Sequence, residues 1–278
     1  MRIRDKIKKP QRPVVAYEIL PPREKDGTLN AYAETISSLL SQTHIDAINI
    51  PEVHDEVGRG ERPVSNQERG EPRKFGMLLQ DIVGIEAIVN RVVVHMPLKK
   101  QMEWIQETYS QFEIDNLVIV GGESSKQKYP GPTVNESLQK ISQDNRLREN
   151  SILCGGICIP SRRKESKNLI RKSECGAEFF TTQVLCDSDN IMKMIKNYQE
   201  RCDKVNTFPR RILLSFAPVS SQKNIDFLKW LGVEIPKDTE RYLNGRPGSM
   251  TERSLDVAIE VLNEILAFIT NNNLKVPV

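Results

Sequence analysis

The chain has 278 residues, with 40 Lys and Arg against 37 Asp and Glu for a formal net charge of +3. That length supplies one large core, and a balance so near neutral excludes strong attraction to nucleic acid or to a membrane surface. Charged residues make up 28% and apolar residues 38%, the proportions of a folded chain rather than a disordered one.

The longest apolar runs reach about half a dozen residues where a spanning helix needs ~20, so no membrane helix is expected. The charged N-terminus, Met1-Arg-Ile-Arg-Asp-Lys-Ile-Lys-Lys, lacks the apolar stretch and small-residue cleavage site of a signal peptide. The five cysteines are odd in number and scattered, which suits reduced thiols in the cytoplasm.

In chain order, β-rich runs alternate with helical patterns. Strand-like runs fall at 14–20, 45–51, 91–96, 116–122, 152–158, 179–185, 211–217 and 274–278. They are mostly apolar on both faces, as parallel strands covered by helices should be. Helical patterns fall at 29–40, 99–112, 165–175, 189–201, 224–231 and 251–270. In the last, Leu255, Ile259, Leu262, Ile265, Leu266 and Ile269 form one apolar stripe. The polar stretch 56–73, rich in Gly, Arg and Glu, reads as a mobile loop or lid.

This alternation predicts right-handed crossovers and an α/β fold. With eight strands it matches a (β/α)₈ TIM barrel, a single domain over 1–278 that ends at the eighth strand. A doubly wound open sheet is the rival. It is weakened because no Gly-rich dinucleotide fingerprint follows any strand; Gly121-Gly122 does not satisfy one.

In a barrel the chemistry sits where strands end. Glu18 lies within the apolar first run, where burial would raise its pKa and fit it for proton transfer, unless it is ion-paired with an interior base. Glu52, His54, Asp55 and Glu56 are of the types that bind a divalent metal, although a solvated loop is the plainer reading and no metal site is assigned. His95 ends the third run. At the fourth, Gly121 and Gly122 allow close backbone approach to a ligand, and Glu123 either orients a polar heterocycle or is an exposed acid in a tight turn. Cys154 and Cys158 lie roughly 13 Å apart along one strand face, too far to pair, and read as small core residues. Arg162-Arg163-Lys164 precedes a helix and reads as a solvated cluster or an anion contact. Gln183, near the end of the sixth run, offers both donor and acceptor to an amide-like ring edge.

Several of these segments resemble the methylenetetrahydrofolate reductase family in its catalytic barrel. Tyr17-Glu18-Ile-Leu-Pro21-Pro22-Arg23 is similar to that family's first-strand Phe-Glu-Phe-Phe-Pro-Pro-Lys/Arg. The segment from Leu169 through Lys172, Gly176-Ala177 and Thr182-Gln183 to Asp187 is similar to its Leu-Lys-x-Lys-x-x-x-Gly-Ala-x-x-x-x-Thr-Gln-x-x-x-Asp. Ala217-Pro218-Val219-Ser220 resembles its Leu-Pro-Val/Ile-x. Elsewhere the chain departs: Gly121-Gly122-Glu123 stands where the family has Arg-Gly-Asp, and Ile50-Pro51-Glu52 where it has Thr-Tyr-Gly.

The resemblance implies a cytoplasmic oxidoreductase of one-carbon metabolism and methionine biosynthesis, in which FAD carries hydride from NAD(P)H to methylenetetrahydrofolate. It implies Glu18 as the general acid that opens the substrate ring, and Glu123 and Gln183 as substrate contacts. It further implies His95, Glu165 and Lys172 as flavin contacts, a reduced folate as the small-molecule partner, and scope for a homo-oligomer. The alternative is a folate- or pterin-binding protein, or a methyl-transfer partner subunit, without flavin-dependent reductase activity.

Overall fold

The computed structural model describes all residues except 55–59, 65–66, 123–126, 151 and 246–247. In chain order its helices are α1 Ile3–Ile7, α2 Leu29–Leu40, α3 Pro72–Val83, α4 Leu98–Phe112, α5 Val134–Gln143, α6 Asn145–Glu149, α7 Glu165–Glu174, α8 Asp189–Lys204, α9 Gln222–Trp230, α10 Lys237–Leu243 and α11 Met250–Asn271. The strands are β1 Ala16–Glu18, β2 Ala47–Ile50, β3 Ala87–Val92, β4 Asn116–Val120, β5 Leu153–Cys158, β6 Phe179–Val184 and β7 Arg211–Ser215.

Strand order in the sheet is chain order, β1 to β7, and each ladder from β1 to β5 is parallel. Successive parallel neighbours joined by helices make an α/β fold that is TIM-barrel-like in its connectivity. Seven strands form among the described residues, not eight. The expected eighth, 274–278, forms no strand. It makes one ladder-like bond, Ile212 N–H to the Pro277 carbonyl at 2.9 Å, and Pro277 has no N–H with which to continue.

The third strand begins earlier than the sequence pattern suggests. Gly84, at φ +70°, closes α3, and pairing starts at Ala87. The apolar run that looked like the strand, Val93–His95, is a 3₁₀ turn. The polar pair Asn90 and Arg91 therefore sits inside β3, and both side chains are buried.

The chain divides into two compact units. The first comprises Met1–Gly58, Gln67–Gly156 and Lys172–Phe179; the second comprises Arg59–Asn66, Ile157–Arg171 and Phe180–Val278.

The amino ends of strands in the first unit carry acids, and α1 answers them. Asp46, Glu86, Asp115 and Glu178 each stand one residue before a strand. Lys6 pairs with Asp46 at 2.8 Å, Arg2 with Glu86 at 3.2 Å and with Asp115, and Arg4 with Glu178 at 3.2 Å. Lys8 adds a contact to Glu178 at 3.1 Å. Ile3 and Ile7 point inward and are buried. Their burial is worth roughly 1.5–3 kcal/mol each, whereas partly exposed ion pairs contribute about 0–1 kcal/mol. The isoleucines therefore hold α1 in place and the charges set its register.

Capping explains two helices absent from the apolar pattern. Glu71 caps α3 through the Lys74 N–H, with Pro72 in the first turn. Thr133 and Glu136 form a reciprocal capping box at α5.

In the second unit, Val219, Ile225, Leu228, Val233 and Leu243 form a small core between α9 and α10. Arg211 donates to the Val278 carbonyl at 2.7 Å, and Lys275 N–H to Gln199 at 2.9 Å, fastening the C-terminal segment. On α11 the buried face is Ser254, Val261 and Ile265. Of the expected stripe, Leu255, Ile259 and Leu266 are exposed and only Ile265 is fully buried. Among the described residues no helix is long and apolar enough to cross a membrane.

The Asp46 carboxyl is held below its ordinary value. Burial works against the charge, but the Lys6 ammonium, the Val15 N–H and Arg12 outweigh it. A depressed folded-state pKa stabilises above the unfolded value, about 4, and the gain is lost as pH falls through the folded value. Asp46→Asn is therefore expected to lower the urea midpoint at pH 7. The gap from the parent chain should close on titration below about pH 4; a gap that persists there would mean lost packing rather than lost charge.

Candidate functional site

The parallel register places Glu18 opposite Asn49 at the carboxyl end of β1. The Asn49 amide donates to Glu18 Oε2 at 2.8 Å. Among the described residues no base pairs with Glu18. Its carboxyl is accessible to solvent, yet enough protein surrounds it that desolvation raises its pKa, with the Asn49 bond pulling the other way. These two facts are compatible for a group in a concave setting: water reaches the oxygens, but the low-dielectric surroundings still penalise the charge.

At the end of β2, Glu52 is half-buried and committed. It accepts from the Arg91 guanidinium and from the Val92 N–H at 2.8 Å, and lies 3.2 Å from His54 Nε2. Burial alone would raise its pKa, but the His54 contact, the Arg91 charge and the Val92 N–H bring it below the ordinary value. This engagement removes Glu52 from any metal set; Asp55 and Glu56 lie outside the described residues. Among the described residues no group of three or more His, Cys, Asp or Glu is placed to hold an ion.

Beside this pair the His54 and His95 rings lie 4.5 Å apart, tilted by 41°. Tyr129 meets His95 edge-on at 5.7 Å. The Tyr129 ring also covers Gly122, where an added Cβ would stand 2.3 Å from its Cζ. The close approach expected at this glycine is thus made by a tyrosine of the same unit. Glu123 lies outside the described residues. Lys172, near the end of α7, is half-buried.

In the second unit Gln183 sits near the end of β6 and donates its amide to the Leu231 carbonyl at 3.0 Å. It borders a small cleft lined also by Ser161, Asp187, Asn190 and Glu234. With one amide N–H given to the backbone, Gln183 keeps its Oε1 acceptor and a second N–H for a ligand. Glu165 is buried, and both of its oxygens serve their own loop: one accepts from the Ile159 N–H at 3.2 Å, the other from Asn168 at 3.0 Å. Arg162, Arg163 and Lys164 are exposed. Cys154 and Cys158 are buried free thiols, the former pushed up to about 12 by burial.

The flavin that the resemblance implies finds no matching grip in these residues. Position 121 carries no cation, and a side chain there would begin 3.2 Å from Val134 Cγ2. The Gly122 face is covered by Tyr129. Glu165 is consumed by its own loop. His95 does present an exposed ring.

The Glu52–Arg91 pair and the place of Tyr129 escaped the sequence reading. The signal for the pair was present: an Arg inside an apolar run needs a buried acid, and Glu52 follows the neighbouring strand.

Residues 158–275 match the family model of methylenetetrahydrofolate reductase. The fold matches an uncharacterized protein from Clostridium thermocellum that binds two copies of 5-methyl-5,6,7,8-tetrahydrofolic acid. The TM-score is 0.74 at 19% identity, covering 98% of this chain and 88% of that one. A 2,3-dimethylmalate lyase of the PEP mutase/isocitrate lyase superfamily superposes at TM-score 0.48 with 10% identity, covering 98% and 88% of the two chains, too remote to argue from. No curated protein matches the sequence.

Because the Asn49 bond favours the charged form of Glu18, Asn49→Leu should raise the Glu18 pKa further. Carbon-detected NMR titration of the Glu18 carboxyl in both chains checks this. An unchanged midpoint would show that the Asn49 amide does not tune the acid.

Proposed function

We propose that this protein, whose residues 158–275 match the methylenetetrahydrofolate reductase family model, binds a reduced folate, methylene- or methyltetrahydrofolate. We further propose that it serves one-carbon metabolism as an oxidoreductase of that family's kind. The observation that carries the reading is Glu18: a carboxyl at a strand end, facing no base among the described residues, shifted toward its protonated form by its surroundings and reachable from solvent. A carboxyl with a raised pKa is better suited than an ordinary one to deliver a proton. In methylenetetrahydrofolate the proton would go to a ring nitrogen, breaking its bond to the bridging carbon and leaving an iminium ion that hydride can reduce. In this reading Gln183 Oε1 accepts from the folate ring. The methyltetrahydrofolate bound by the Clostridium thermocellum protein of like fold supports the ligand class.

A nicotinamide cofactor is the hydride source that the family resemblance suggests, and no step is assigned to a flavin. A second reading, a folate-binding or methyl-transfer partner subunit without flavin chemistry, draws support from the mismatch at Gly121, Gly122 and Glu165.

Two substitutions test the first reading. Glu18→Gln keeps the shape and a hydrogen-bond donor but removes the transferable proton. Reduction of methylenetetrahydrofolate should fall about 10²–10⁴-fold, while calorimetry should still detect methyltetrahydrofolate binding. Full activity in this variant would end the assignment. Gln183→Ala should weaken methyltetrahydrofolate by roughly 0.5–1.5 kcal/mol, the value of one neutral hydrogen bond. Equal affinity in parent and variant would remove Gln183 from the site.

A further inference from the structure

The proposed chemistry leaves unused a connected series of groups in the first unit. Arg91 is 4% exposed and lies within β3. Its guanidinium sits 4.2 Å from the Trp104 ring centroid, donates to Gln101 at 2.9 Å and pairs with Glu52. Glu52 in turn contacts His54, which lies against His95, which meets Tyr129. Burying a pair of opposite charges costs several kcal/mol per ion, and well-packed apolar residues would often close the same space at no loss of stability. Packing therefore gives no reason for Glu52 and Arg91. What the pair adds is a carboxylate with two fixed donors, whose Oε1 also stands 3.2 Å from His54 Nε2 and so places an imidazole beside a fixed charge.

The geometry points to His54, positioned by Glu52, as a binding residue for the pterin ring of the bound folate, with His95 and Tyr129 as the wall against which that ring lies. The inference rests on the folate reading for the identity of the ring. His54 Nε2 is buried against Glu52, so Nδ1 is the nitrogen left to meet a ligand. The side chain as a whole is 35% exposed, so a ligand can reach it. His95, beside it, is exposed. A flat pyrimidinone with adjacent carbonyl and N–H groups suits both features: a face to lie on aromatic rings and an edge to bond an imidazole.

The test uses the full chain and two substitutions. His54→Phe keeps a flat ring and removes both nitrogens; Glu52→Gln leaves the imidazole but loosens its anchor. Methyltetrahydrofolate affinity is measured by calorimetry, with FAD as a parallel ligand, and the His ring protons are followed by NMR. The proposal expects His54→Phe to weaken methyltetrahydrofolate about 2- to 13-fold, the equivalent of one hydrogen bond. It also expects the His54 and His95 signals of the parent chain to shift on saturation. Glu52→Gln should weaken binding in the same direction; if that chain does not fold, His54→Phe decides alone. Unaltered affinity in His54→Phe, or unmoved ring signals, overturns the proposal. If Gln183→Ala weakens the folate and His54→Phe does not, this site falls and the folate reading stands. If the parent chain binds no folate, both fall. Loss of FAD binding alone in His54→Phe overturns the assignment of the ring to a pterin.

Discussion

The parallel ladder, laid down strand after strand in chain order, is the constraint on which the rest depends. Each parallel pairing needs a crossover, so carboxyl ends of neighbouring strands face one way and amino ends the other. Register then decides which side chains meet. Glu18 faces Asn49 because Ala16 pairs with Ala47. A slip of one residue would turn Glu18 to the other face and set it beside a different neighbour.

The two ends of the first unit's strands treat the same residue type in opposite ways. At the amino ends, Asp46, Glu86, Asp115 and Glu178 are met by the cations of α1, and the Asp46 carboxyl is held down as a result. At the carboxyl end of β1, Glu18 has an amide and, among the described residues, no cation, and its carboxyl is pushed up. The short N-terminal helix thus does more than cover apolar surface. It claims the acids at one end, and none of its cations is recorded against Glu18 at the other.

Much of the architecture was legible because it rests on local pattern. The bounds of α2 are those the apolar spacing gives, and all seven strands overlap their β-rich runs, β3 only at Arg91 and Val92. The third strand misled because Val92, Val93 and Val94 continue the apolar run past the ladder's end, and the true strand carries Asn90 and Arg91. The eighth run has the composition of a strand but carries Pro277, and the Ile212 N–H bond to the Pro277 carbonyl and the Arg211 side-chain bond to Val278 join it to β7 without a ladder. The α11 stripe had the right period, yet periodicity does not say which face turns inward; Ser254 and Val261 lie on the buried face and Ile259 does not. At the site, Glu18 and Gln183 were visible as polar groups in apolar strands. The commitment of Glu165 to its own loop was not, since it depends on backbone donors at Ile159 that spacing does not reveal.

Glu18 and Glu52 end neighbouring strands and are both enclosed by protein, yet their environments suit them to different work. A desolvated carboxylate with a single neutral donor has its pKa raised, which favours the protonated form that can donate. A carboxylate held by a guanidinium, a backbone N–H and an imidazole stays ionised and stays still. The first arrangement can give up a proton; the second can only hold a neighbour in place. That division follows from the partners alone. The His54 contact, the Arg91 guanidinium and the Val92 N–H enforce it together, outweighing the burial that on its own would raise the Glu52 carboxyl.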